Sequence, residues 1–267
     1  MFDRPTRREF SALALSLLAT RPAAALGQGQ EKEKEKAKDK EPPKADALPG
    51  PPDVPKATLL PTLPTVPIRR GGRDQFNLTM VDASLLPRDK QTIWVLDFFF
   101  KPLRMKTVEV PGKGRRQVHY LYYRVVNRTG QPREFVPQFT MLTDTGKRLE
   151  EVVLPKAVPL IKGREDQSVP LLGAVEVSGV IPASTKPTVD DAVYGVALWD
   201  AVDPKADRLS IYVRGLSDGY QDVKTPDGKT VTKYKTLRID LIRRGDERNL
   251  NEKEITPADP PYEWIYW

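Results

Sequence analysis

The stretch 92-TIWVLDFFF-100 decides the fold class, because nearly all of its residues are apolar. In an extended strand, successive side chains point to opposite faces of the sheet. Phe98 and Phe100 therefore fall on one face, whereas Phe99 falls on the other together with Asp97. Since both faces carry large apolar side chains, we predict a strand in the middle of a sheet that is covered on both sides.

A second stretch, 119-HYLYYRVVN-127, has the same two-sided character. Its odd-numbered residues from Leu121 to Val125 are predicted to point into the core. Its even-numbered residues from Tyr120 to Arg124 then point the opposite way. We expect this strand to pair with the first one.

Further strand patterns follow, separated by turn sequences such as 127-NRTG-130 and 143-TDTG-146, where Gly supplies a positive φ. No segment of helical spacing and ten or more residues appears behind the N-terminal region, and Leu154–Leu171, with three prolines, is predicted as an irregular connection. The predicted strands are Phe76–Val81, Thr92–Phe100, Gln117–Asn127, Glu134–Thr143, Arg148–Leu154, Ala174–Ile181, Ala192–Trp199, Leu209–Gly215 and Tyr234–Arg243.

These strands predict an all-β fold, an antiparallel β-sandwich over residues 74–248, with a barrel as the alternative. The order of YYRVVNRTGQ, VSGVIPAST and GVALW resembles immunoglobulin-like sandwich domains of secreted bacterial proteins. The resemblance covers residues 90–215. It implies an immunoglobulin-like sandwich in an exported protein, and many such domains are of unknown function. Its motifs concern the fold only and carry no catalytic residue.

The first 25 residues have the pattern of a signal peptide. A basic segment precedes an apolar run of about ten residues, which is half of what a stable membrane-spanning helix needs. Arg7, Arg8 and Phe10 resemble the twin-arginine motif of proteins that are exported after folding. The alternatives are a general secretory signal and an amphipathic helix of a cytosolic protein. No stable transmembrane anchor is expected after cleavage.

Residues 26–73 are predicted to be a disordered linker. The run 31-EKEKEKAKDKEPPK-44 alternates in charge and has no apolar stripe to bury. The proline-dense segment that follows favours an extended, semi-rigid spacer. It is interpreted either as a stalk or as a plain linker between signal and domain.

The composition excludes several kinds of chemistry. The chain has no Cys and a single His, so it offers no disulfide, no thiolate nucleophile and no Cys-ligated metal. The formal net charge of +7 comes from 43 basic and 36 acidic residues, a mixed surface that does not predict nucleic-acid binding. No catalytic residue, cofactor or metal is assigned, and His119 is interpreted as an ordinary sheet-edge residue.

Two groups of carboxylates are candidate sites. Asp200, Asp203 and Asp207 form an acidic loop, for which the two interpretations are a calcium site, since calcium prefers oxygen ligands, and turn-forming aspartates. Asp97 and Asp240 lie within strands, where an arginine partner is favoured over an acid–base pair.

Two aromatic groups are candidates for binding. Tyr120 and Tyr122, with Arg124, form a platform for a sugar if they are exposed, or pack beneath a loop if they are not. The tail 249–267 ends in an aromatic cluster that is predicted either to fold back on the domain or to dock on a partner. Its aromatic residues are Tyr262, Trp264, Tyr266 and Trp267.

The sequence therefore predicts a non-enzymatic, exported module of the periplasm or cell surface that has a structural or protein-binding role. A carbohydrate- or wall-binding module is the first alternative, and a carboxylate-based hydrolase is the second. The expected partner is an envelope protein or a glycan.

Overall fold

The computed structural model describes residues 59–70, 78–82, 92–244 and 253–267. The predicted signal peptide and the charged part of the predicted linker lie outside these residues. The described segments belong to one compact unit, Lys56–Trp267. None of them contains a helix with the length and hydrophobicity that a membrane crossing requires.

The described residues form fifteen strands and one helix. In chain order these elements are β1 (Val66–Arg69), β2 (Thr79–Met80), β3 (Asp97–Phe100), β4 (Leu103–Val110), β5 (Gly114–Val126), β6 (Arg133–Phe135), β7 (Gln138–Thr143), β8 (Arg148–Glu150), α1 (Ala157–Glu165), β9 (Leu171–Leu172), β10 (Gly179–Ile181), β11 (Val189–Trp199), β12 (Arg208–Arg214), β13 (Tyr220–Lys224), β14 (Thr230–Ile242) and β15 (Glu254–Tyr266).

Hydrogen bonds connect the main strands in the order β1-β11-β5-β4-β15-β14-β12-β7-β8. Almost all neighbours among the described strands are antiparallel, and β9 pairs in parallel with β11. β15 joins two halves, since its first residues pair with β4 and the rest with β14. We call β1, β11, β5 and β4 the first layer, and β15, β14, β12, β7 and β8 the second layer.

The two layers pack face to face around the main core. Tyr123 of β5 lies 4.9 Å, ring to ring, from Phe139 of β7, and Phe139 contacts Trp199 of β11 edge-on at 6.4 Å. These rings come from opposite layers and are buried. The predicted all-β antiparallel sandwich is therefore confirmed.

The strand pairing predicted for the two apolar stretches is also confirmed. β3 pairs with β5 in an antiparallel register that places Phe98 opposite Val125. Phe98 and Phe100 belong to the main core, whereas Phe99 belongs to a second apolar cluster on the other side of the first layer. Both faces of these strands are thus buried, as the sequence indicated.

Helix α1 covers the outer face of the first layer. Its Ala157 and Ile161 are buried in the second cluster together with residues of β5 and β11. The prediction of an irregular connection was wrong here. Pro159 lies in the first turn of the helix, where no intrahelical hydrogen bond from its nitrogen is needed.

The C-terminal segment is a strand of the domain itself. β15 pairs with β14 along most of its length, and Trp264 is buried in the main core. Tyr262 packs against the same core. The tail therefore folds back on the domain, which is the first of its two predicted arrangements.

The folded region begins within the segment that was predicted as a linker. β1 pairs with β11, and Arg70 donates two hydrogen bonds from its guanidinium to the buried Asp190, at 2.8 and 3.1 Å. Asp190 also binds Arg128 at 2.6 Å. Proline is compatible with an edge strand such as β1, because an edge residue can lack an N–H group without losing a ladder bond.

Candidate functional site

The two outer faces of the sandwich differ in what lies over them. On β12, Leu209, Ile211 and Val213 are buried in the core. Tyr212 and Arg214 therefore point outward, because side chains alternate along a strand. We call this outer side of the second layer the open face, and the side of the first layer beneath α1 the covered face.

Trp267 lies across the open face. Two backbone hydrogen bonds of 3.0 Å place it directly opposite Tyr234 of β14. Its ring stacks on Tyr212 with the centroids 4.5 Å apart and the planes inclined by 27°. The guanidinium of Arg148 lies 5.2 Å from the centre of the Trp267 ring. An aromatic pair and a cation are thus stacked on this face.

A second ring and cation lie beside this stack. The guanidinium of Arg214 is 4.3 Å from the centre of the Tyr234 ring. Tyr220 of β13 is paired with Tyr234 and shares its face. Tyr220 and Tyr234 are 50% and 47% exposed, so aromatic surface and charge alternate in contact with solvent.

Exposed ion pairs border these rings. Arg238 pairs with Asp240 at 3.0 Å and with Glu263 at 2.9 Å. Ser210 donates a hydrogen bond of 2.7 Å to Asp240. The arginine partner predicted for Asp240 is therefore present, and this carboxylate holds neighbouring strands together.

On the covered face, the predicted sugar platform does not exist. Tyr120 and Tyr122 are buried, and Arg124 lies over the ring of Phe99 at 4.0 Å. Of the two alternatives, the one that holds is coverage of the two tyrosines, and the cover is helix α1 rather than a loop. This helix was not predicted, because the three prolines between Leu154 and Leu171 indicated an irregular connection.

A buried carboxylate, Glu165, attaches α1 to the first layer. Its side chain is 0% exposed and accepts hydrogen bonds from Tyr120 at 2.6 Å, Arg104 at 2.8 Å and Lys101 at 2.9 Å. Burial by itself would raise the pKa of Glu165, but these three donors together hold it below its ordinary value. The cluster is thus a satisfied ionic contact within the fold.

A cleft of about 760 Å³ opens between the loops at one end of the sandwich. Its polar groups are already engaged with one another. Asp97 pairs with Arg128 at 2.7 Å, Asp218 accepts the backbone N–H of Trp94 at 2.9 Å, and Arg133 lies 5.2 Å from the Trp94 ring centre. Burial, partly offset by Arg128, raises the pKa of Asp97. The cleft is therefore a weaker candidate than the open face.

Two buried titratable groups lie inside the molecule. Burial lowers the pKa of His119 to about 4 and raises that of Glu151 to about 8. His119 is flanked in the sheet by Met105 and Trp199, so the prediction of a sheet-edge position was wrong. Its two ring nitrogens have no hydrogen-bond partner among the described residues, which leaves it without an orienting carboxylate for catalysis.

The acidic loop is held by neighbouring lysines and backbone groups. Asp200 pairs with Lys113, and Asp203 pairs with Lys147 at 3.2 Å. The backbone N–H of Asp207 donates to a carboxylate of the adjacent turn. Within the described part of the chain, no three carboxylate or imidazole groups are arranged to hold a metal ion.

Comparison of the chain with models of protein families, with curated proteins and with solved structures finds no match. The functional argument therefore rests on the geometry of the described residues and on the N-terminal motif. Of the residues named from the sequence, Trp267 and Asp240 lie on the open face. The open face could have been predicted from the sequence LSIYVR, because Tyr and Arg alternate there with residues of the core.

Proposed function

We propose that this chain is a non-enzymatic, exported module of the cell envelope that binds a protein through the open face. The observation that carries this proposal is the stacking of Tyr212, Trp267 and Tyr234 with Arg148 and Arg214. Trp, Tyr and Arg are the residue types that contribute most to binding free energy at protein interfaces.

The partner is proposed to present carboxylates to this face. No salt bridge joins Arg214 to another described residue, although its guanidinium is positioned by the ring of Tyr234. A guanidinium held in this way can offer its N–H groups to a carboxylate as a bidentate pair. The formal net charge of +7 favours an acidic partner for the same reason.

Export is part of the proposal and rests on the sequence. Arg7, Arg8 and Phe10 supply the twin-arginine-like motif, and the absence of Cys suits a protein that folds before it is exported. The proposed location is the periplasm or the cell surface. The immunoglobulin-like type of the sandwich is likewise proposed, from the motifs YYRVVNRTGQ, VSGVIPAST and GVALW alone.

A glycan ligand is the second candidate, and it is favoured by the Tyr212–Trp267 pair. Sugars usually stack on free ring faces, however, and here Arg148 lies over Trp267 and Arg214 over Tyr234. A carboxylate-based hydrolase has less support. Its two strand carboxylates, Asp97 and Asp240, are paired with arginines and belong to different layers.

The binding experiment uses the exported full-length protein, cross-linked in intact cells and purified with its partner. The dissociation constant is then measured with the purified pair. We expect Trp267→Ala and Arg214→Glu each to weaken binding by about tenfold or more, the range of interface hot spots. Binding should also weaken as salt is raised, because charged groups are screened.

The matched control is Leu160→Ala, on the exposed side of α1 and far from the open face in the fold. It should leave the dissociation constant unchanged. Equal binding by Trp267→Ala and the wild-type protein would refute the open face as the binding site. Retention on a glycan array that Tyr212→Ala abolishes would instead establish the carbohydrate alternative.

Export is tested separately by replacing Arg7 and Arg8 with Lys and fractionating the cells. We expect the variant to accumulate in the cytoplasm with its N-terminal residues intact. A wild-type protein found only in the cytoplasm would refute export without affecting the binding result.

A further inference from the structure

The hairpin formed by β13 and residues 230–234 of β14 has an exposed edge. Four of the five residues in each of its two arms are exposed, so both faces of the hairpin are in contact with solvent. Among the described residues, β13 pairs only with β14. A two-stranded hairpin alone is marginally stable in water, and a third strand with an apolar face stabilises it.

The backbone groups on the free edge of β13 can be assigned from the ladder. Thr225 donates its N–H to the carbonyl of Lys229 at 2.8 Å, and Lys235 donates its N–H to the carbonyl of Gly219 at 2.8 Å. Residues in hydrogen-bonded pairs alternate with residues whose N–H and C=O point the other way. Asp222 and Lys224 therefore direct their N–H and C=O groups to the free edge.

We propose that β13 pairs with β13 of a second copy of this chain, antiparallel about a twofold axis. The axis passes between Val223 and Val223 of the second copy. Asp222 then lies opposite Lys224 of the second copy, and the reverse pair forms on the other side of the axis. In this register the outward N–H and C=O groups of Asp222 and Lys224 meet their counterparts and form reciprocal hydrogen bonds.

Charge complementarity favours this register and favours a second copy of the chain as the partner. Read in antiparallel pairing, the sequence Asp-Val-Lys is complementary to itself. A shift of two residues in either direction places Asp222 opposite Asp222, or Lys224 opposite Lys224, which is unfavourable. Thr232 donates a hydrogen bond of 2.6 Å to Asp222, so the carboxylate is already positioned.

Apolar contact strengthens the same arrangement. Val223 is paired with Val231, which is 45% exposed. Pairing of two copies aligns both valines of each chain in one row across a four-stranded sheet. The central Val223 pair is not hydrogen-bonded, and in such pairs the Cβ atoms lie only about 4.5–5.5 Å apart.

The first test uses disulfide formation in the full chain, which has no native Cys. Under mild oxidation, Val223→Cys should form a covalent dimer, because the two residues face each other across the axis. The matched control is Gln221→Cys, whose two copies are offset by four residues, or about 14 Å along the strand at roughly 3.4 Å per residue. Cross-linking of both variants to the same extent, or of neither, overturns the proposal.

The second test exchanges the charges and measures mass by sedimentation equilibrium. Asp222→Lys should shift the wild-type dimer to monomer, since two lysines then face each other. The double variant Asp222→Lys, Lys224→Asp should restore the dimer. A monomeric wild-type protein at its highest soluble concentration overturns the proposal, and so does a double variant that stays monomeric.

Lys233→Asp is the matched control for a change of charge on the same hairpin. It lies on β14, away from the free edge of β13, and should leave the mass unchanged. Persistence of the dimer in Asp222→Lys would show that another surface joins the two copies and would likewise refute pairing through β13.

Discussion

The covered face and the open face are built from strands with the same alternation of side chains, yet a helix packs over the first and the second is in contact with solvent. Outward residues of β5 are large and apolar, and α1 packs over them. Outward residues of β12 are Ser, Tyr and Arg, and no described element lies over them except the ring of Trp267. The difference shows that strands with the same alternation form a covered or an open face according to what packs over them.

The arginines of the two faces also have different partners. Arg104 on the covered face donates to the buried Glu165, whereas Arg214 on the open face lies over an exposed ring. A buried ion pair leaves an uncompensated charge when one partner is removed, while an exposed pair is solvated and contributes little. The comparison can therefore be tested by mutating each face and measuring the free energy of unfolding.

The largest effect is expected for Glu165→Ala. Its removal leaves the partly buried Lys101 and Arg104 and the buried Tyr120 hydroxyl without their common acceptor, which should lower the free energy of unfolding by about 3–5 kcal/mol. Urea denaturation at pH 7 measures this change. The control is Glu150→Ala on the second layer, where both partners of the Arg148 pair are 59% exposed. A loss below that of the control would refute the role of Glu165.

The same carboxylate predicts a dependence on pH. Because the pKa of Glu165 in the folded protein is held below its ordinary value of 4.5, its ionised form contributes stability above that pH. This contribution is lost as the pH falls through the folded pKa. The difference between wild type and Glu165→Gln in urea denaturation should therefore shrink below about pH 4.5. A difference that grows in acid contradicts the assignment.

A somewhat smaller effect is expected for packing beneath the helix. Ile161 is fully buried, and Ile161→Ala should cost about 2–4 kcal/mol, the range for large-to-small changes in a core. Leu160 is its neighbour on α1 and is 49% exposed, so Leu160→Ala should change the free energy of unfolding by less than about 1 kcal/mol. Equal losses would mean that α1 does not cover the first layer.

The smallest effect is expected for Arg238→Ala on the open face. Its ion pairs with Asp240 and Glu263 are partly exposed to solvent, and surface pairs contribute about 0–1 kcal/mol. Urea denaturation in low and high salt measures the loss and its screening. A loss as large as that of Glu165→Ala would remove the energetic distinction between the two faces.

Much of the fold could be predicted because strand alternation is a local signal. The side of the sheet to which Phe98, Phe99 and the residues of β5 point was predicted correctly, because side chains alternate between the two faces along a strand. Helix α1 was missed because its packing face is small and because the prolines within and beside it resemble those of a loop. β15 was missed as a sheet strand because three prolines and one aspartate between residues 257 and 261 lower its local β-propensity.

The candidate site was harder to predict, since it is assembled from distant parts of the chain. Arg148, Tyr212 and Trp267 are far apart in sequence and meet only because β8, β12 and β15 belong to one layer. Tyr120 and Tyr122 had a similar composition and were buried instead. Composition alone does not distinguish a ring beneath a helix from a ring in solvent.

The amino-acid sequence by itself determined that this chain forms antiparallel strands with an apolar core and no cysteine chemistry. The alternation of apolar and polar residues and the composition are local properties of the sequence, so they can be recognised without knowing which strands pair. Only the tertiary structure decided which aromatic residues are covered and which remain on the surface. That outcome depends on which segments pack over each layer, and packing is set by contacts between residues far apart in the chain.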